Sequence, residues 1–405
     1  MKNGVSHLYL MTEGFSPTVI DSQVLDTIRA AQRGGVQFDL KALVSPRDWL
    51  KNRTVYEAKA KQVRQEIEGR VSLRVIPRLR DAYVRDAVAR TLFYRYRKHE
   101  KLIIHARNHV AADIGIRLKK WLKSTRVIVD VRGDVGAEYR MRSRQGSAYE
   151  SREGERQIAI LRDVLQDADR IFAVSQALGD LLVDSYCASE DKVSIFPCLA
   201  DETRFYWNPQ QGAEVREREG LVDKRIVVFP GSTGRWHHIS ATVAFLGEWM
   251  KKEPLLHFVA LCPDVEKMTI ECRKALPPNR FTVVHAAHKD VPGWLNASDL
   301  GILLRELDPV NHVASPTKFA EYALTGLPVA MSAGIGDYSQ MVLQEKAGFW
   351  VDDSRLEESA EQAAAFMALW CEEDRSRWSE AAKARLSKGA RLDDLVGEYG
   401  KLAEK

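Results

Sequence analysis

Within the 405 residues, the run SPTKFAEYALTGLP, Ser315 to Pro328, carries the residue types best suited to seating an anion. Ser315 and Thr317 are helix-capping residues, Pro316 suits a first helical turn, and Lys318 sets a cation beside the N–H groups that a helix start leaves free. Glu321 falls within the first two turns. Together these residues make a seat for a diphosphate with a carboxylate for the hydroxyls of a ribose. A structural helix that is merely capped uses the same residues.

Such a seat belongs at the carboxyl end of strands in an open α/β sheet. The sequence supplies that setting. Strands are predicted at Val5 to Met11, FDLKALV, LRVIP, KLIIHA, RVIVDVRG, RIFAVS and KVSIFP, with helices between them, the first over Ser22 to Gly35 ending in a glycine pair. A second set opens with RIVVFPGS at Arg225 and continues through LLHFVALC, RFTVVHAA, DLGILLR, the helix TKFAEYAL and LPVAMSA. The polar stretch Asp201 to Lys224 reads as the linker between the sets. A chain of this length exceeds one core, so the expectation is α/β with two doubly wound Rossmann-like domains. Their bounds are read as 1–204 and 205–385, with a helix over 386–405 packing back toward the first.

Charge divides along the same line. Residues 1–200 hold 35 Lys and Arg against 25 Asp and Glu, whereas residues 201–405 hold 25 against 31. A basic half attracts phosphates, anionic lipid or nucleic acid. No apolar run has the length of a membrane span, and the start MKNGVSHLYLMTEGF lacks the long apolar centre of a signal peptide, so a cytoplasmic protein is expected. The five cysteines are scattered without zinc or disulfide spacing and read as reduced thiols.

With these residues in view, the chain resembles the GT-B glycosyltransferases, in particular the retaining family 4, over most of its length. That family carries Glu, seven residues, Glu, then a small-residue helix and Gly-x-Pro-Val. Glu321, Gly326, Pro328 and Val329 match the second part, and Val313 stands where the first Glu is expected. The resemblance gives Glu321 the donor ribose. Contacts to the donor sugar then fall to the backbone from Ala314 to Thr317, to Asn311 or to Lys318.

VVFPGSTGRWHH resembles the family's glycine turn, where Gly231 and Ser232 approach the phosphates and Arg235 offsets the charge of the departing diphosphate; Ser232 and His237 or His238 hold neighbouring positions. VVHAAHKDVPGW resembles the segment around the nucleobase, with His288, Lys289 and Val291 lining it. In the first domain TEGFSPTVIDSQV resembles the loop over the phosphates, with Ser16, Thr18 and Ser22 as donors on the acceptor side. IIHARNHVAADIG matches the strand end that carries the family's active-site histidine, with Arg107 at its position and His105 and His109 two residues to either side; His109, beyond the strand end, is the preferred catalytic group. Arg132, Asp134 and Glu138 of DVRGDVGAEY shape the acceptor pocket in the same comparison.

The resemblance implies transfer of a sugar from a nucleoside diphosphate to an acceptor hydroxyl with retention, in surface polysaccharide or glycolipid synthesis, the donor being a nucleotide-sugar and the acceptor a carbohydrate or lipid-linked molecule. The triplet Asp167 to Asp169 mimics a metal-binding Asp-x-Asp of another transferase class but reads as a solvated turn before RIFAVS, so no metal or other cofactor is implied. The basic, aromatic stretch Arg78 to Lys101 suits an anionic membrane surface on the inner face, a solvated helix being the competing reading, and no nucleic-acid module is recognisable. Two rival functions remain: a sugar-nucleotide epimerase, and a noncatalytic partner of an active transferase.

Overall fold

The computed structural model describes residues 3–15, 20–143, 148–234 and 236–404. The chain divides into two compact units, Met1–Pro197 with Arg391–Lys405, and Cys198–Ala390. Each is built on one parallel sheet. The first contains β1 (Asn3–Met11), β2 (Phe38–Val44), β3 (Val71–Val75), β4 (His99–Arg107), β5 (Thr125–Val131), β6 (Arg170–Ala173) and β7 (Val193–Ile195), in the order β3-β2-β1-β4-β5-β6-β7. The second contains β8 (Arg225–Pro230), β9 (Leu256–Leu261), β10 (Phe281–Val284), β11 (Leu300–Leu303), β12 (Val329–Met331) and β13 (Gly348–Trp350), in the order β10-β9-β8-β11-β12-β13.

In both units the strand order reverses beside the first strand, between β1 and β4 and between β8 and β11. Chains leave such a pair in opposite directions, so their carboxyl ends open a crevice there. Alternation along the strands builds the layers on either side. Ile226 and Val228 of β8 join a core with Trp294, Phe319 and Tyr322, while Val227 and Phe229 join the opposite one with Phe245 and Trp249.

Predicted and observed elements coincide at FDLKALV and TKFAEYAL and differ by a few residues elsewhere. The helix expected over Ser22 to Gly35 opens as a π-helical turn, Ile20–Leu25, before the α-helix Asp26–Arg33. Gly35, at φ +82°, turns the chain out of it. The linker reading is corrected. Asp201 to Lys224 contains the helix Pro209–Glu219, capped by the Asn208 side chain on Gln211 N, and Phe205, Val215 and Leu221 lie in the core of the second unit.

The final helix, Leu392–Glu404, belongs to the first unit. Leu395, Tyr399 and Leu402 enter its core beside Phe38 and Leu40. The Tyr399 hydroxyl lies 2.8 Å from His105 Nδ1, and Glu398 pairs with Arg170 at 2.8 Å. Asp169 is likewise structural rather than solvated: its carboxylate accepts from Val127 N at 2.9 Å and pairs with Lys119 at 2.7 Å. Among the described residues no helix is long and apolar enough to cross a membrane, and no three His, Cys, Asp or Glu side chains are grouped to hold a metal ion.

Candidate functional site

In the second unit the crevice lies between the chain leaving β8 and the chain leaving β11. The two are tied together where His238 N donates to Leu304 O at 3.1 Å, and Arg305 N donates to Ser332 Oγ, just beyond β12, at 3.0 Å. The helix Thr317–Leu324 starts beside them with Pro316 at its N-cap, and no side chain caps it. Ser315, expected as a cap, is used elsewhere. Its hydroxyl accepts from Cys198 N at 2.9 Å and donates to the Tyr338 hydroxyl at 3.1 Å. Thr317 Oγ1 is buried without a partner. An uncapped helix start keeps its free N–H groups available to an anion.

Lys318 occupies the place that Gly231 leaves open. A Cβ on Gly231 would lie 2.2 Å from Lys318 Nζ, which sits 4.2 Å from the centre of the Phe229 ring and 3.2 Å from His237 Nε2. Burial and the Arg305 guanidinium push the lysine well below the usual range, with Glu321 opposing them. Burial, with Lys318 and Arg305 adding to it, lowers His237, so its ring is neutral beside the lysine. Arg305 itself is brought down to about 10 by burial. One arm of its fork donates to Asn311 Oδ1 at 3.0 Å, and its Nε is buried without a partner. Among the described residues neither Lys318 nor Arg305 forms an ion pair. Two partly buried cations couple here with no carboxylate paired to either, so the charge of this corner is not balanced by an ion pair among the described residues.

Glu321, on the same helix, is buried with Oε1 3.8 Å from His288 Nε2. Arg204 donates to His288 Nδ1 at 2.9 Å, so Nε2 carries the ring proton and faces the carboxylate. Thus Gly231, Lys318, Glu321 and His288 fall along one edge of the unit. Ser232 accepts from Gly234 N at 3.3 Å within the glycine turn. Val291 packs into the core beside Val215 and Trp294 rather than standing open, and Val313 is buried. The amide of Asn311 is committed to Arg305, Glu306 O and Asp308.

The first unit carries a polar group at its own crevice. Arg107, the last residue of β4, donates from Nε to Glu13 at 3.0 Å and from Nη2 to Gln23 at 2.6 Å. Asn108, at φ +73°, caps the helix His109–Trp121 by accepting from Val110 and Ala111 N, both at 3.1 Å. His109 joins a different group: its Nε2 lies 2.7 Å from Gln157 Oε1, and burial lowers its pKa. His105 is enclosed, stacked on Tyr9 at 4.5 Å. Arg132 pairs with Asp130 at 3.3 Å, and Asp134 accepts from the Tyr186 hydroxyl at 2.5 Å. Glu138 is raised by burial, with Asp134 and Glu13 adding to it against Arg142. Ser16, Thr18 and Arg235 lie outside the described residues.

The stretch Arg78 to Lys101 divides in two. Arg85 is buried and bonds Asp113 and two carbonyls, while Arg95 and Tyr96 bind Asp39. Tyr83 and Tyr94 are instead 62% and 70% exposed, Arg97 lies over Tyr94 at 5.9 Å, and Arg90 lies over Trp121 at 5.6 Å.

No protein-family model and no curated protein sequence matches the chain. Solved structures do. A glycosyltransferase from Rickettsia africae aligns over 99% of this chain and 99% of its own, with a TM-score of 0.72 and 14% identity. HepE from Anabaena, crystallised with UDP-glucose, aligns over 98% of this chain and 99% of its own, with a TM-score of 0.67 and 14% identity. A UDP-forming α,α-trehalose-phosphate synthase from Burkholderia vietnamiensis covers 99% of both chains at a TM-score of 0.63 and 10% identity. The fold is GT-B. Both Rossmann-like units and the returning terminal helix fall inside these GT-B alignments, whereas the site stands on its own residues. Arg305 and Glu13 were not singled out from sequence. Their one signal is position, a charged residue two places beyond a strand end.

Proposed function

We propose that the chain is a glycosyltransferase that binds a nucleoside-diphosphate sugar in its second unit and transfers the sugar to an acceptor hydroxyl with retention. The observation that carries this reading is the uncapped start of the helix Thr317–Leu324, with Lys318 and Arg305 unneutralised beside Gly231. A diphosphate supplies the missing negative charge. Glu321 would take the ribose hydroxyls, with His288 and Arg204 on the base side. Support comes also from HepE, which was crystallised with UDP and UDP-glucose.

In the reaction the bond between the anomeric carbon and the diphosphate oxygen breaks, and its electron pair stays on the leaving group. Lys318 and the helix N–H groups meet that growing charge. The acceptor hydroxyl attacks on the same face and gives its proton to the departing phosphate oxygen, which yields retention. On the acceptor side we assign Arg107, Arg132, Asp134 and Glu138 to binding and orientation, in surface polysaccharide or glycolipid synthesis. His109 keeps a catalytic assignment only if its bond to Gln157 opens. The exposed pairs Arg97 with Tyr94 and Arg90 with Trp121 would dock the first unit on an anionic membrane that carries the acceptor.

Calorimetry with UDP, GDP, ADP and CDP, followed by their sugar conjugates, tests the donor assignment. Binding by none of them removes it. Proton NMR of the product reads the anomeric configuration, and an inverted product removes retention. The buried Val313, in place of the family's first carboxylate, favours the noncatalytic reading as the second choice. That reading predicts donor binding with no transfer to any acceptor.

A further inference from the structure

We infer that Arg305 holds the departing diphosphate through the guanidinium arm that Asn311 leaves unspent, and that Asn311 is its positioning residue; this rests on the donor reading above. Arg305 stands two residues beyond β11, across the crevice from Gly231, and its backbone is pinned by Ser332. The guanidinium has five N–H donors in a planar fork. One arm is spent on the Asn311 carbonyl oxygen, Nε is buried with no acceptor, and the other arm makes no hydrogen bond or ion pair among the described residues. A guanidinium fixed in this way keeps strong donors for an oxygen ligand.

The identity of residue 311 sharpens the point. Asn311 is itself locked: its N–H donates to Asp308 Oδ1 at 2.8 Å, and its Nδ2 donates to Glu306 O at 3.0 Å and to Asp308 Oδ2 at 3.3 Å. Its remaining atom, the carbonyl oxygen, therefore faces Arg305. An aspartate of the same shape would hold the guanidinium as firmly but would neutralise it. Asparagine fixes the fork and leaves the full positive charge for a ligand, beside the charge of Lys318. When the bond to the anomeric carbon breaks, the electron pair moves to a diphosphate oxygen within reach of these donors, and no proton transfer from Arg305 is required.

The test is calorimetric titration of the full-length protein, wild type, R305A and N311D, with UDP, GDP and ADP and with the matching nucleosides, after circular dichroism has confirmed folding. R305A should weaken the preferred diphosphate by about 10- to 100-fold and leave the nucleoside unchanged. N311D should weaken the diphosphate by about tenfold, again with the nucleoside unchanged, because it adds a competing ion pair. Undiminished diphosphate binding by R305A overturns the inference and leaves the donor reading standing. If R305A does not fold, N311D decides, and undiminished diphosphate binding by it overturns the inference. A wild-type protein that binds none of the three diphosphates overturns both.

Discussion

Burial and the Arg305 guanidinium oppose a charge on Lys318, and that opposition has a measurable consequence. Replacing the lysine with methionine keeps most of the volume and removes the charge, so K318M should raise the melting stability of the ligand-free protein by about 1 kcal/mol or more. The same variant should lose the stabilisation that saturating nucleoside diphosphate gives the wild type, about 3 kcal/mol at a hundredfold excess over Kd. Differential scanning calorimetry with and without ligand reads both effects. Glu321 invites a chemical test. If it binds ribose, wild type should prefer UDP over 2′-deoxy-UDP by about tenfold, and E321Q should lose most of that preference. The helix that carries Lys318 and Glu321 was legible because it is short, apolar on one side and has a recognisable start. Ser315 was misjudged as a cap because its partner, Cys198 N, is 117 positions away in the chain. Arg305 was passed over since nothing local distinguishes a buried arginine beyond a strand from an exposed one.

At the scale of elements, the glycine turn after β8 and the helix Thr317–Leu324 are fitted to each other through one ammonium group. G231A should therefore fold, since the obstructed atom is the movable tip of Lys318, yet push that tip from its place. A drop of about tenfold in diphosphate affinity with an unchanged melting temperature is expected. The terminal helix has its own test. Y399F removes the hydroxyl beside His105 Nδ1 and should cost about 1–2 kcal/mol in urea unfolding of the first unit. Strands such as FDLKALV could be read directly because buried Phe38, Leu40 and Ala42 alternate with partly exposed Asp39 and Lys41 before the apolar Leu43 and Val44. The segment Asp201 to Lys224 was misread for the opposite reason. Asn208 and Pro209 look like loop punctuation, but they are also the cap and first residue of a helix, and Gly212 is there to let it approach the Asn296 backbone.

Over the whole molecule, acid should weaken both units. Burial lowers His7 in the first unit and His257 in the second from 6.5 to about 4. Between those values the unfolded chain binds more protons than the folded one, so stability present above pH 6.5 is lost as pH falls toward 4. At pH 5 the loss should be about 2 kcal/mol for each ring, visible as a lower urea midpoint than at pH 7. H7Q and H257Q should each flatten part of that slope. The charge asymmetry between the halves leads to another whole-molecule measurement: sedimentation with vesicles containing phosphatidylserine should carry the protein down at low salt and release it at high salt, and R90A with R97A should reduce the effect. The returning helix bears on how such a molecule is made. A nascent chain that has reached residue 390 holds every strand of both sheets, yet Phe38 and His105 still lack Tyr399. The second unit, contiguous from Cys198 to Ala390, is then complete while the first, although synthesised earlier, waits for its closing helix. Ribosomal order and order of completion are thereby reversed, and the half that was translated first is the one most exposed to proteases and chaperones until the helix Leu392–Glu404 emerges.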